Sequence, residues 1–226
     1  ERSGLPNELP ATAALDSMLE NVGVSDDVPI IIYGEPLAAA RAFFTLDVLG
    51  HGNHTAVLNG GLAAWRLAGQ PVVRASAGDG GRGRFTPRPQ LERVVDASWV
   101  AAHARNPKVA LLDARPPEEY RGDRAGDGVP RPGHIPGAAS FFWKRTIESD
   151  SVPRLLAADS LRALFAAAGA EPGDTIVTYC RTGVQASHAY LVARHLGYSV
   201  RMYDGSFIDW SRQADRPVAT GAGGVR

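Results

Sequence analysis

The chain holds a single cysteine, Cys180, and its neighbours make a thiol chemically interesting. It ends the apolar run Asp174 to Tyr179 and opens CRTGVQAS, residues 180–187, which leads into a helical segment ending near Gly197. A strand-to-helix turn aims unpaired backbone N–H groups at one point, with the positive end of the helix dipole behind them. A cysteine there is expected to have its pKa lowered from about 8.5 into roughly the 3.5–7.5 range, and the same cradle suits an anionic sulfur species. Gly183 permits the tight curl, and Arg181 supplies a charge that an anionic substrate would meet. The competing reading is a small buried hydrophobe at a strand end followed by an ordinary turn. One thiol excludes an internal disulfide and a multi-thiolate zinc site, and the six histidines lack ligand spacing, so neither metal nor cofactor is expected.

The elements that must carry this loop occur twice. Val28 to Tyr33, an Ala-rich amphipathic stretch to Gly50, Thr55 to Leu58 and Asn59 to Trp65 are echoed by Asp174 to Tyr179, the segment ending at Gly197, Val200 to Tyr203 and Asp204 to Trp210. Each copy reads strand, helix, strand, short helix, an internal repeat. Short apolar runs alternating with helices imply an α/β fold, each domain a parallel sheet with helices on both faces. Ahead of the second copy, Val94 to His103 reads as a short strand and a helix capped at Asp96 or Ser98. Val109 to Asp113 is a buried strand, Gly133 to Ala138 a tight turn, and 159–169 a helix with an Asp159 cap and a Gly169 stop. The first copy has no counterpart to 109–138, so its domain is read as incomplete at its N-terminus. A separate N-terminal fragment is expected to complete it. The domains are therefore 1–73, the C-terminal part of an inactive domain; 74–93, a Gly-, Arg- and Pro-rich linker; and 94–226, the catalytic domain. The linker glycines are not a nucleotide fingerprint, because no strand precedes them and no apolar helix follows.

Around Cys180 the supporting candidates are Asp113 and Arg115 at a strand's carboxyl end, where parallel-sheet sites form. They serve either as a fold-holding ion pair or as a substrate contact. His134 reads as a structural turn residue. Ser206, after the Asp204–Gly205 turn, is a candidate to point its hydroxyl into the loop. Trp210 reads as core, and Trp143 as packing or a pocket wall. Balanced charge, 24 basic against 24 acidic residues, with 44% hydrophobic content, gives no pull toward nucleic acid or a membrane surface. No apolar run approaches the roughly 20 residues of a membrane span. The compartment, cytoplasmic or periplasmic, is not legible.

Four of these motifs, CRTGVQ at 180–185, GHIPGA at 133–138, DAR at 113–115 and DGSFIDW at 204–210, together resemble the rhodanese family. Their tandem order, with NGGLAAW at 59–65, is similar to the two-domain thiosulfate and 3-mercaptopyruvate sulfurtransferases. The resemblance implies that Cys180 takes sulfane sulfur from a small anionic donor as a persulfide and passes it to a thiol or to cyanide, a ping-pong scheme. It also implies that the backbone of Cys180, Arg181, Thr182, Gly183, Val184 and Gln185 surrounds the sulfur. Thr182 stands where thiosulfate-type members carry a basic residue, Arg181 where mercaptopyruvate-type members carry Gly, and Glu119 where some members carry Arg. The first copy has Tyr33, Gly34 and Glu35 at the matching place and no thiol. Ala186, six residues after the cysteine, removes the arginine that a Cys-based phosphatase requires. The non-enzyme alternative is a persulfide carrier that hands sulfur to a protein partner.

Overall fold

The computed structural model describes residues 4–74 and 81–222. In chain order the elements are α1 (Thr12–Asn21), β1 (Ile30–Ile32), α2 (Pro36–Val48), β2 (Thr55–Val57), α3 (Gly61–Leu67), β3 (Val94–Val95), α4 (Ala97–His103), β4 (Val109–Asp113), α5 (Pro117–Arg121), β5 (Ala139–Ser140), α6 (Ala158–Ala167), β6 (Thr175–Tyr179), α7 (Val184–His195), β7 (Ser199–Tyr203) and α8 (Ser206–Arg212). Five strands form one parallel sheet in the order β3-β7-β6-β4-β5. Every residue of β4 is buried, as a parallel strand covered on both faces requires. On one face Leu161 and Phe165 of α6 and Ala189 and Tyr190 of α7 join Ile176 and Leu112. On the other, Val100 of α4, Tyr120 of α5 and Phe207 and Trp210 of α8 join Leu111 and Val177. Trp143 belongs to the first of these cores and is buried there.

The N-terminal copy contributes a two-stranded parallel sheet, β1 beside β2, among the described residues. Its helix α2 lies on α7, with Phe44 edge-on to Tyr190 at 4.9 Å. Beside that contact Asp47, 1% exposed, accepts hydrogen bonds from Arg93 (2.6 Å), the Tyr190 hydroxyl (2.6 Å) and Arg194 Nε (2.9 Å). Part of the Gly-rich stretch expected as a linker, residues 75–80, lies outside the described residues. The part that follows runs along the N-terminal copy: Phe85 is buried and stacks on His51 at 4.2 Å, and the Thr86 N–H donates to Asp26 at 2.8 Å.

Local signals account for the helix ends. Asp96 caps α4, accepting the Trp99 N–H at 2.7 Å. Helix α6 begins at Ala158 with Ala157 in the cap position, so Asp159 is not its cap. Asp159 stands inside the first turn, where its charge still faces the helix's positive end. Gly169, at φ +81°, stops that helix as the sequence implied.

Candidate functional site

The register of the sheet builds the site. Asp113 of β4 pairs with Tyr179 of β6, so both strands end together and the next residue, Cys180, emerges at the carboxyl edge. Gly183 takes φ +89°, and the chain passes from β6 into α7 in four residues. Its N–H donates to Cys180 Sγ at 3.1 Å, and the backbone N–H groups of Ala186, Thr182 and Gln185 also favour the sulfur's anionic form. Val184 and Gln185 form the first turn of α7, half-buried like Arg181 and Thr182. The loop is clamped from outside. Cys180 N–H donates to Ser206 Oγ (3.3 Å), whose hydroxyl donates to the Tyr203 carbonyl (2.9 Å). The Phe207 and Ile208 N–H groups donate to the carbonyls of Cys180 and Arg181. Ser206 thus holds the loop's backbone, and it does so at φ +55°, uncommon for a residue with a side chain.

The thiol departs from the expected depressed pKa. Cys180 is 1% exposed, and that burial pushes its pKa above the ordinary thiol value, outweighing the four N–H groups that pull it down. Arg181 does not offset this burial, because its guanidinium turns outward to Asp127, Nη1 to Oδ2 at 3.1 Å.

Asp113 and Arg115 form a buried ion pair, Arg115 Nη2 meeting Asp113 Oδ2 at 2.5 Å and the Gly133 carbonyl at 2.7 Å. The Arg115 guanidinium also lies over the Phe207 ring at 4.1 Å. This pair ties β4, the 133–138 turn and α8 together. His134 is likewise buried. Its Nδ1 meets the Tyr120 carbonyl at 2.8 Å, its ring stacks on Tyr120 at 3.9 Å, and burial holds its pKa below the ordinary value. Glu119 is mostly buried, 3.2 Å from Arg124 and close to the Arg181 stem: a Cβ on Gly126 would touch both Glu119 Oε2 (2.9 Å) and Arg181 Cδ (2.8 Å).

Residues the sequence did not point to also reach the loop. Asn7 Nδ2 donates to Thr182 Oγ1 at 3.1 Å, and Arg41 of α2 pairs with Asp204 Oδ1 at 2.9 Å. The one available signal was that Arg41 is the sole cation of an otherwise largely apolar helix. A cavity of about 400 Å³ lies away from Cys180, between β2 and α7, bordered by Phe43, Val57, Leu155, His188 and Leu191. Among the described residues no cluster of His, Cys, Asp and Glu is arranged to hold a metal ion, and no helix is long and apolar enough to cross a membrane.

Residues 96–213 match the Rhodanese-like domain family. A probable 3-mercaptopyruvate sulfurtransferase of Pseudomonas aeruginosa is 35% identical over 217 residues, covering 94% of this chain and 75% of that protein. A sulfur carrier protein of Thermus thermophilus is 32% identical, covering 90% of this chain and 75% of that one. A thiosulfate sulfurtransferase of Pseudomonas aeruginosa is 31% identical, covering 94% and 78%. Among solved structures, a singly substituted EanB in complex with ergothioneine superposes with a TM-score of 0.81 at 23% identity, a likeness of fold. The chain spans 95% of its own length in that match and 56% of the EanB chain.

Proposed function

The chain belongs to the rhodanese family of sulfurtransferases, and from that premise we propose that Cys180 carries sulfane sulfur as a persulfide between a small anionic donor and a thiophilic acceptor. The observation that carries this reading is the convergence of four backbone N–H groups on the Cys180 sulfur. In the first half-reaction the thiolate attacks the outer sulfur of thiosulfate. The S–S bond breaks, and sulfite leaves with the electron pair. In the second, an acceptor such as cyanide attacks the terminal persulfide sulfur, thiocyanate departs, and the thiolate returns. N–H groups already aimed at the Cys180 sulfur favour negative charge there, which supports an anionic sulfur species in the loop.

Thiosulfate is the donor we favour, because Arg181 stands beside the loop and its partner Asp127 is fully exposed, an ion pair easily exchanged for another anion. 3-Mercaptopyruvate is the second choice. Residues 94–226 act as the catalytic domain. The N-terminal copy, with Gly34 and Glu35 in place of a thiol loop, is inactive in this scheme and supplies packing and loop contacts. A second reading, a carrier that delivers sulfur to a protein partner without turnover, draws on the likeness to the Thermus carrier protein.

Mass spectrometry after thiosulfate treatment tests the assignment. One added sulfur is expected on the wild type and none on a folded Cys180→Ser variant. Sulfur on any other residue would refute the role of Cys180. Sustained thiocyanate production with cyanide separates the enzyme from the carrier.

A further inference from the structure

The Cys180 loop is held from one side by groups that lie outside the matched rhodanese segment. Arg41, 18% exposed, extends from α2 across to the far side of the turn. Its Nη2 pairs with Asp204 Oδ1 at 2.9 Å and donates to the Asn7 carbonyl, and its Nη1 lies 3.5 Å from Ser187 Oγ. The Ser187 hydroxyl in turn donates to the Gly183 carbonyl at 2.8 Å. Asp204 is 10% exposed, and its second oxygen accepts the Leu9 N–H at 2.7 Å. A Cβ built on Gly183 would meet Arg41 Nη1 at 3.2 Å and both the carbonyl and Oδ1 of Asp204 at 3.3 Å. Gly183 is the residue whose N–H touches the sulfur. One cation and one carboxylate therefore border the residue that touches the reacting atom.

We infer that Arg41 is a positioning residue of the sulfur site, supplied by the N-terminal copy: it neutralises Asp204 and holds the Gly183 turn so that the loop's N–H groups stay aimed at Cys180. Without it a poorly solvated carboxylate faces the turn alone, and like charge so near disfavours a thiolate or persulfide. The charged groups around Cys180 come from several elements. α2 gives Arg41, the end of β7 gives Asp204, the loop itself gives Arg181 with its partner Asp127, α5 gives Glu119 with its partner Arg124, and the end of β4 gives the buried, mutually neutralised Asp113–Arg115 pair. Arg181, Glu119 and the Asp113–Arg115 pair are each engaged with partners of their own, and the charged groups that border Gly183 are Arg41 and Asp204. The inference rests on Cys180 being the reacting group, and it concerns the thiolate rather than any one donor.

The test uses the whole chain and its single cysteine. The rate of alkylation by iodoacetamide against pH reads the Cys180 thiolate directly and is independent of sulfur transfer, so its outcome is separable from that of the proposed function. Arg41→Gln is expected to move the midpoint of the profile up by about one unit, or about tenfold slower alkylation at pH values below both midpoints. Arg41→Lys, which keeps the charge, should stay near the wild type. Arg41→Gln with Asp204→Asn should recover most of the loss, because the orphaned carboxylate is gone. Should Arg41→Gln fail to fold, Asp204→Asn alone still decides, since it is expected to lower the midpoint. A profile for folded Arg41→Gln that superimposes on the wild type, a double variant no better than the single one, or an Asp204→Asn midpoint that does not fall would each overturn the inference.

Discussion

His188 makes the fold sensitive to acid by an amount the structure sets. It sits on α7, 3% exposed, with Nε2 on the Thr146 hydroxyl at 2.9 Å and the Trp143 ring edge-on at 5.1 Å. Burial pushes its pKa down to about 4, a hydrogen bond to the Pro36 backbone offsetting only part of the effect. An unfolded chain returns the imidazole to its ordinary value of about 6.5. Between those two values the unfolded state binds a proton that the folded state refuses, so the stability contribution is full above about pH 6.5 and is lost as pH falls toward 4. At about 1.4 kcal/mol per pH unit over roughly two units, acidification from pH 7 to 4.5 costs about 2–3 kcal/mol through this one residue. For a chain of this size that corresponds to a melting temperature lower by about 5–10 °C. His188→Gln keeps a polar partner for Thr146 and removes the titration. Thermal melts of both proteins at pH 7 and pH 4.5 isolate the effect, because every other group titrates in both. Wild-type and variant melting temperatures falling in parallel, within about 2 °C, would refute the reasoning.

Arg181→Ala should weaken thiosulfate use more than 3-mercaptopyruvate use, by about one to two decades in kcat/KM for a lost charge-assisted hydrogen bond worth roughly 1.5–3 kcal/mol. Equal losses for both donors would mean that Arg181 shapes the loop without reading substrate charge. Asp113→Ala strands the buried Arg115 charge and should cost about 3–5 kcal/mol in chemical unfolding. The protein that remains folded should still take up sulfur at Cys180, and a stable but unreactive variant would place the pair in the chemistry instead.

The alternation of strand and helix, the parallel sheet and the Cys180 turn were legible because each follows from short-range pattern: a buried run ending at Tyr179, a glycine at 183 and an apolar helix face after it. Asp96 caps α4 as its local chemistry implied. The thiol's pKa was not legible, since it depends on how completely α8 and α7 close over Cys180, and the sequence does not reveal that burial overrides the N–H cradle. Arg181 was read as free charge because its partner, Asp127, sits in a loop with no motif. Ser206 was one candidate to aim into the loop; its Oγ accepts the Cys180 N–H, at a positive φ that no propensity would suggest. Arg41 and Asn7 approach from a part of the chain whose packing no periodicity encodes.

The carboxylate of Asp47 ends one copy's helix while its three donors, Arg93, Tyr190 and Arg194, belong to the other part of the chain. Withdrawing α2 from α7 would leave that buried anion bare and uncover Phe44 and Tyr190 in the same motion, so even this partial opening is costly. The helix that begins at the reactive loop is thereby locked to the rest of the molecule. Amide hydrogens of α2 and α7 should exchange with solvent as one cooperative block, and the sulfur site inherits its rigidity from a contact near the far end of the helix.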